Sequence, residues 1–252
     1  MNILLLGYGK MGRVIEQVAL ERGHRIAGRI TIDNVADRGR ILPADVDAVI
    51  EFSSPESAVG NLTYCFEHGW PVVCGTTGWL SHRADVESLC RAKKGAFFYA
   101  SNYSIGVNLF FRLNKTLAQF MRNYPSYQVS MTEIHHTEKK DAPSGTAITL
   151  AEGVMEHLPH KRRWALREAG DEQATQDNGD AIEIESVREG SIPGTHTIRY
   201  DSVVDQIEIS HRAHSREGFA LGAVVAAEWL AGREGVFGMD DLLNFVTSHP
   251  AT

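Results

Sequence analysis

Early in the chain the apolar positions come in short unbroken runs, and further on they alternate with polar ones. Asn2–Leu6 is such a run and reads as a buried strand, with Gly7–Gly12 as the turn after it. Arg13 to Arg22 reads as a helix, because Val14, Ile15, Val18 and Ala19 recur at helical spacing. Gly23 stops that helix, and His24 to Ile32 reads as a second strand ending at Asp33. Together these make one βαβ unit. The order then repeats, with strands at Ala48–Phe52, Pro71–Cys74 and Ala96–Ala100 and helices at Pro55–His68 and Val86–Lys93. Such alternation predicts an α/β fold, a Rossmann-type doubly wound parallel sheet.

The pattern changes near Asn102. Ile105 to Met121 reads as one long helix with Phe110, Leu113, Leu117, Phe120 and Met121 on its apolar side, ended by Asn123-Tyr124-Pro125. Strands follow at Tyr127–Ile134, Ala181–Arg188, His196–Tyr200 and Asp205–His211, and a period of two is clear in Gln206–His211. This half reads as an α+β domain with an open mixed sheet, mostly antiparallel. The polar stretch Glu168–Gly179 reads as a mobile loop. Phe219–Leu230 and Met239–Val246 read as helices that return to the first domain. The expected division is 1–104 with 215–252, and 105–214.

Composition narrows the function. The chain has 252 residues, 43% hydrophobic and 23% charged, as in an ordinary globular protein. Its net charge of −7 argues against a nucleic-acid surface, and it means that an anionic ligand must be attracted locally. Three cysteines, Cys65, Cys74 and Cys90, show no metal spacing and cannot all pair, which suits a reduced, cytoplasmic setting. The opening apolar run is too short for a signal peptide, and no stretch reaches the length of a membrane span.

Gly7-x-Gly9-x-x-Gly12 follows a predicted strand and opens a predicted helix, and Asp33 lies at the end of the next strand. That context marks a dinucleotide fingerprint. Gly7 makes the turn, Gly9 admits the pyrophosphate, and Gly12 lets the helix pack close. Asp33 would accept hydrogen bonds from the adenosine ribose and repel a 2′-phosphate, which favours NADH over NADPH. Arg38 and Arg40 are near enough in sequence to reverse that preference. Glu51–Pro55 and Gly75–Gly78 follow short strands and offer small residues to the nicotinamide side.

The segment Glu133–Thr146 concentrates the chemistry. His135 and His136 adjoin at a strand end and point to different sides, so only one is the principal proton donor. Lys139 lies one tight turn on. Ser144 is an N-cap candidate, and the amides of Gly145 and Thr146 beyond it suit a carboxylate. His157–His160 and His211–His214 lack a zinc pattern, and no metal is expected.

At these residues the chain is similar to the dihydrodipicolinate reductases, also called 4-hydroxy-tetrahydrodipicolinate reductases, of bacterial lysine and diaminopimelate synthesis. The shared stretches run nearly end to end: GYGKMG at 7–12, EFSSPES at 51–57, CGTTGW at 74–79, ASNYSIGVN at 100–108, EIHHTEKKDAPSGTA at 133–147, REGSIPGTH at 188–196 and HRAHSREGFALGA at 211–223. The resemblance implies that His135 is the proton donor and Lys139 a second catalytic residue. It implies that His136, Gly145 and Thr146 bind substrate, a small dicarboxylate. Gly7, Tyr8, Gly9, Lys10, Met11, Gly12, Asp33, Gly75, Thr76, Thr77, Ala100, Ser101, Asn102 and Tyr103 would contact NADH or NADPH. The first domain would then bind the dinucleotide, and the second would bind substrate and assemble a homotetramer through its sheet. Two departures stand out. The glycine turn is the short form, where many relatives have one more residue, and Thr195 precedes His196 where an acid is common.

Two other classes fit parts of the pattern. A different two-domain dehydrogenase, acting on diaminopimelate or aspartate, would share the fingerprint but not the HHxxKxDAPSGT turn. A redox sensor would bind the dinucleotide without a proton donor and would carry a docking element, and none is visible.

Overall fold

The computed structural model describes residues 1–168 and 179–244. It divides into two compact units, 1–105 with 216–252, and 106–215. The first begins with β1 (Asn2–Leu6), α1 (Lys10–Glu21), β2 (Arg25–Ile30), β3 (Ala48–Glu51), α2 (Pro55–Glu67), β4 (Val72–Cys74), α3 (Arg83–Ala92) and β5 (Ala96–Tyr99). All pairings in its sheet are parallel. In β1, Ile3 to Leu6 are each at most 1% exposed, which explains an unbroken apolar run where strands are covered on both faces.

Several boundaries differ from the sequence reading, among them the start of α3, at Arg83 rather than Val86, and two that flank the glycine turn and the second strand. The helix after the glycine turn starts at Lys10 rather than Arg13, because Arg13 N–H already donates to the Gly9 carbonyl at 3.2 Å. Lys10, Met11 and Gly12 therefore form its first turn. The second strand ends at Ile30, not Ile32. Thr31 Oγ1 accepts the Asp33 N–H at 3.2 Å, and Asn34 Oδ1 accepts the Thr31 N–H at 2.6 Å. This reciprocal cap turns the chain into a 3₁₀ segment over Ile32–Arg40, with Asp33 inside it.

The second unit contains α4 (Ile105–Met121), β6 (Gln128–His135), α5 (Gly145–Met155), β7 (Arg163–Glu168), β8 (Ala181–Arg188), β9 (Thr195–Asp201) and β10 (Gln206–Arg212). Its sheet runs β10-β9-β6-β8-β7. The two pairings of β9 are antiparallel, but β6–β8 and β7–β8 are parallel, so the sheet is evenly mixed rather than mostly antiparallel. The cause is α5, which follows β6 and brings the chain back as β7, a strand the sequence reading missed. The expected loop at 168–179 falls mainly on residues outside the description.

The buried face of α4 is also rotated from expectation. Val107, Phe110, Asn114, Ala118 and Met121 point inward, while Leu113 and Phe120 are 51% and 64% exposed. Asn114 is tolerated because its amide donates to the Leu150 carbonyl at 2.8 Å.

The chain then returns to the first unit as α6 (Glu217–Leu230), β11 (Gly235–Phe237) and α7 (Met239–Leu242). β11 extends the first sheet to six strands, in the order β11-β5-β4-β3-β1-β2. α6 buries seven of its residues beside α1. A Cβ on Gly222 would lie 1.7 Å from the Tyr103 carbonyl oxygen, so only glycine allows this approach. Glu228 pins the same helix by contacts of 2.7 Å to Arg22 and to His24. Among the described residues, no helix is long and apolar enough to cross a membrane.

Candidate active site

In the first unit, the ends of β1, β2 and β3 open beside the start of α1. Gly7 adopts φ +93°, and a side chain there would lie 2.0 Å from the Phe52 carbonyl oxygen. Gly9 caps α1 without a side-chain hydrogen bond, and the space where its Cβ would be is open. The first N–H groups of the helix are thus left for an anion. Gly7, Tyr8, Gly9, Thr31, Ser53 and Asn61 help to line a cavity of about 580 Å³. That volume and an uncapped helix start fit a dinucleotide.

Arg29 of β2 and the arginines of the segment after it are already engaged. Arg29 pairs with Glu16, and Glu16 also accepts from the Tyr8 hydroxyl. Arg38 lies 4.2 Å from the Tyr64 ring centre and donates to Asn61 Oδ1 at 3.2 Å. Arg40 pairs with Asp37 at 2.8 Å. Asp33 is exposed and outside the lining, whereas its neighbours Ile32 and Val35 are in it. Glu51 is fully buried and holds the loop behind the cavity, accepting from the Ser53 hydroxyl and, at 3.2 Å each, from Asn61 and the Cys74 thiol. Burial, with Glu51 beside it, pushes the Cys74 thiol far up.

The other sequence-predicted cofactor residues occupy varied settings. Gly75 packs against the Phe52 ring, and Thr76 Oγ1 accepts the Ser53 N–H at 2.8 Å. Thr77 and Ser101 are exposed, Asn102 is half-buried, and Ala100 is buried. Tyr103 lies in the core, its hydroxyl donating to the Cys74 carbonyl at 2.7 Å.

The second unit holds a different kind of site. Alternation along β6 sends Val129, Met131, Glu133 and His135 to the packed face, so two ionisable groups occupy positions that burial reserves for apolar ones. The Glu133 Oε1 atom accepts from Ser186 Oγ at 2.8 Å, Arg188 Nη2 at 2.9 Å and Ser144 N–H at 3.1 Å. Its Oε2 lies 2.8 Å from His135 Nδ1 and 3.9 Å from His196 Nε2. The close contact with His135 lacks hydrogen-bond alignment, and neither atom has another partner among the described residues. Burial alone would push the Glu133 carboxyl up, but His135, Ser144, Ser186 and Arg188 outweigh it and hold it well below the usual carboxylate range. His196 is pushed down to about 4 by burial and by the neighbouring His135, so it stays neutral near pH 7.

Lys139 closes the turn after β6, its N–H donating to the His136 carbonyl at 3.1 Å. Its ammonium lies 2.7 Å from both carboxylate oxygens of Asp141, whose side chain is 62% exposed. That hydrogen bond holds the Asp141 carboxyl low. Ser144 is the N-cap of α5, accepting the Ala147 N–H at 3.2 Å, and its hydroxyl also lies 3.1 Å from His196 Nε2. Helix geometry leaves the amides of Gly145 and Thr146 without acceptors inside α5. His136 is half-buried beside His135.

The structure thus joins His135, Lys139 and the start of α5 through residues the sequence reading gave no role: Glu133, Arg188, His196 and Ser186. The available signal was parity. Glu133 and His135 share a strand face with Val129 and Met131, an arrangement that demands buried counter-charge.

Glu133, His135 and His196 also bring three metal-type donor atoms within 4.8 Å. They do not suit a metal. The 2.8 Å gap between Oε2 and Nδ1 is shorter than the about 3.3 Å between ligands of a tetrahedral zinc, and Arg188 already supplies the positive charge.

Comparison with known proteins adds the following. Family models described as the N-terminus and the C-terminus of dihydrodipicolinate reductase match residues 1–103 and 106–243. A curated 4-hydroxy-tetrahydrodipicolinate reductase of Christiangramia forsetii is 47% identical over 244 residues, covering 97% of this chain and 98% of that protein. One of Methanosarcina mazei is 37% identical over 217 residues, covering 85% and 80%. Among solved structures, the dipicolinate-bound dihydrodipicolinate reductase from Paenisporosarcina sp. TG-14 shares the fold, with a TM-score of 0.77 at 20% identity, over 96% of this chain and 99% of that one.

Proposed function

The chain belongs to the dihydrodipicolinate reductase family, and we propose that His135, Lys139 and the first amides of α5 carry its chemistry. It is an oxidoreductase of lysine and diaminopimelate biosynthesis, reducing 4-hydroxy-tetrahydrodipicolinate or dihydrodipicolinate to tetrahydrodipicolinate with a nicotinamide cofactor. The remaining assignments rest on the geometry of its own residues.

The substrate is a ring imine bearing two carboxylates. The solved relative holds dipicolinate, a ring with two acid groups, and the donors gathered in the second unit suit a ligand of that kind. Lys139 takes one substrate carboxylate in place of the exposed Asp141. The amides of Gly145 and Thr146 take a carboxylate at the start of α5, with His136 alongside. The cofactor, when bound, supplies the hydride that adds at C4. His135 supplies the proton that completes the reduction at C3, and Lys139 assists its delivery.

In the first unit, Gly7–Gly12, Gly75–Thr77 and Ala100–Tyr103 would hold the dinucleotide. NADH is favoured over NADPH. Arg29, Arg38 and Arg40 each already have a partner, and Asp33 adds negative charge near the ribose end. Assembly as a homotetramer through the second unit's sheet, and a cytoplasmic setting, complete the proposal.

The observation that carries this reading is the buried network linking His135 to both Lys139 and Ser144, since acid catalysis and substrate grip then share one frame. The test is to follow nicotinamide absorbance after adding 4-hydroxy-tetrahydrodipicolinate. Steady oxidation is expected, faster with NADH. A chain that binds NADH but oxidises neither nucleotide with this substrate would instead be a sensor.

A further inference from the structure

We propose that Glu133 is a positioning residue for His135, dictating which ring nitrogen exchanges the proton, while through Arg188 and Ser144 it fixes the two substrate-gripping elements in the same frame. The inference rests on the reading of His135 as proton donor. The argument begins with the unequal use of the two carboxylate oxygens. Oε1 is saturated by three donors, whereas Oε2 faces only imidazole nitrogens. An ionised carboxylate can only accept, so the Nδ1 that faces it at 2.8 Å must carry hydrogen for the contact to be favourable. The exchangeable site on His135 is then Nε2. A side chain at Gly194 would come within 3.0 Å of that Nε2, so the glycine avoids crowding this edge of the buried ring.

The saturated oxygen does separate work. Arg188 reaches Glu133 through Nη2 at 2.9 Å and, with the same fork, donates to the Asp141 carbonyl at 2.6 Å and the Lys139 carbonyl at 3.3 Å. The turn bearing Lys139 is thereby tied to the carboxylate that faces His135. Ser144 N–H, one residue before the Gly145 amide, is tied to it as well. A single buried carboxylate therefore orients the acid at a strand end, the cation in the turn after it and the start of the next helix. Neutral His196, edge-on to His135 at 5.1 Å between ring centres, fills the remaining side without adding charge.

Glu133→Gln separates orientation from mere packing. The amide keeps the shape and an acceptor oxygen for Ser144, Ser186 and Arg188, but presents NH₂ where Oε2 faced Nδ1. That reverses the contact and places the ring hydrogen on Nε2. With saturating NADH and substrate, kcat should fall on the order of 10²–10⁴-fold, as expected when an acid–base histidine is held in the wrong tautomer. KM for the dicarboxylate should change by less than about 3-fold, because the amide oxygen still accepts from Arg188 and Ser144 and keeps both gripping elements tied. Glu133→Asp, which keeps the charge on a shorter arm, should recover part of kcat.

A second readout needs no turnover. Ring-nitrogen NMR of the wild-type protein with NADH should show His135 as the Nδ1–H form, and Glu133→Gln should switch it to Nε2–H. A folded Glu133→Gln protein with unchanged tautomer and near-normal kcat would overturn the proposal. If the wild type failed to turn over the substrate, the functional reading would fall while the NMR comparison still decided the role of Glu133. If His135→Ala kept full turnover, the catalytic assignment would fall by itself.

Discussion

At Gly7 a side chain would strike the Phe52 carbonyl at 2.0 Å, while at Glu133 a side chain is held by three donors on one oxygen. The first unit shapes its cavity by leaving side chains out, so that backbone and a helix start line it. The second builds its cluster by burying charge among apolar neighbours and compensating each group. The two strategies fail differently. A cradle fails sterically, through an added atom. A buried network fails electrostatically, through a removed or neutralised partner, and then the remaining charge is left without water.

The sharpest test of that contrast is the loss of a reacting group without loss of the cradle. His135→Ala, and separately Lys139→Ala, should lower turnover by about 10²–10⁴-fold, with NADH affinity unchanged in fluorescence titration. Normal rates in both variants would remove the second unit from the chemistry. The reciprocal change is Gly7→Ala. It should weaken NADH binding by about 10²-fold and lower stability by about 1–3 kcal/mol, from overpacking and a strained φ. Retained binding in calorimetry would show that the cavity beside Gly7 is not the nucleotide site.

Acid provides the next comparison. His196 folds with a value of about 4, below its ordinary 6.5, so the unfolded chain takes up a proton in that window and the folded chain does not. Its contribution is complete above pH 6.5 and declines as pH falls toward 4, by on the order of 3 kcal/mol. The lowered carboxyl of Glu133 acts in the same direction, its share being lost below about its ordinary 4.5. Amide protection factors, taken relative to the intrinsic rate at each pH, should therefore fall from pH 7 to 4.5 in β6 and β9 before they do in β1 and β3. Equal loss in both units would contradict the distinction. The smallest effect is expected at Asp33, which is exposed. Asp33→Ala should reduce the NADH:NADPH efficiency ratio only about 5-fold, since charge there is screened by solvent. An unchanged ratio would pass specificity to Thr31 and Asn34.

The same contrast explains what could be read from sequence. Most of the parallel unit was legible because β1, β3, β4 and β5 are short apolar runs, and because a glycine turn in β1–α1–β2 context has a steric meaning that spacing reveals; β11 was not read, being only three residues long and defined by its pairing with β5. The ends of α4, Ile105 and Met121, were equally clear, as was Ser144 as an N-cap. What escaped depends on partners distant in sequence. The inward face of α4 is decided by Asn114 reaching Leu150, while the larger Leu113 and Phe120 suggested the wrong side. The strand β7 carries a charged, half-exposed pattern and is defined by its pairing with β8. Arg188 and His196 gain significance only when β8 and β9 flank β6 and bring them to Glu133. The segment bearing His135 and Lys139 stood out, but the carboxylate that organises it looked like one more acid in a polar run.

The position of α6 has a consequence for biosynthesis. The second unit is continuous along the chain, whereas the first is completed only by residues after Arg216. A ribosome therefore translates all of 106–215 before the helix that covers Tyr103 and the β1 side of the first sheet, and that helix is among the last elements to emerge. Until then an apolar surface on the nascent amino-terminal half stays open to solvent and to chaperones. Released chains truncated after residue 215 should resist protease in the second unit and remain cleavable in the first, the reverse of the order in which the two are translated.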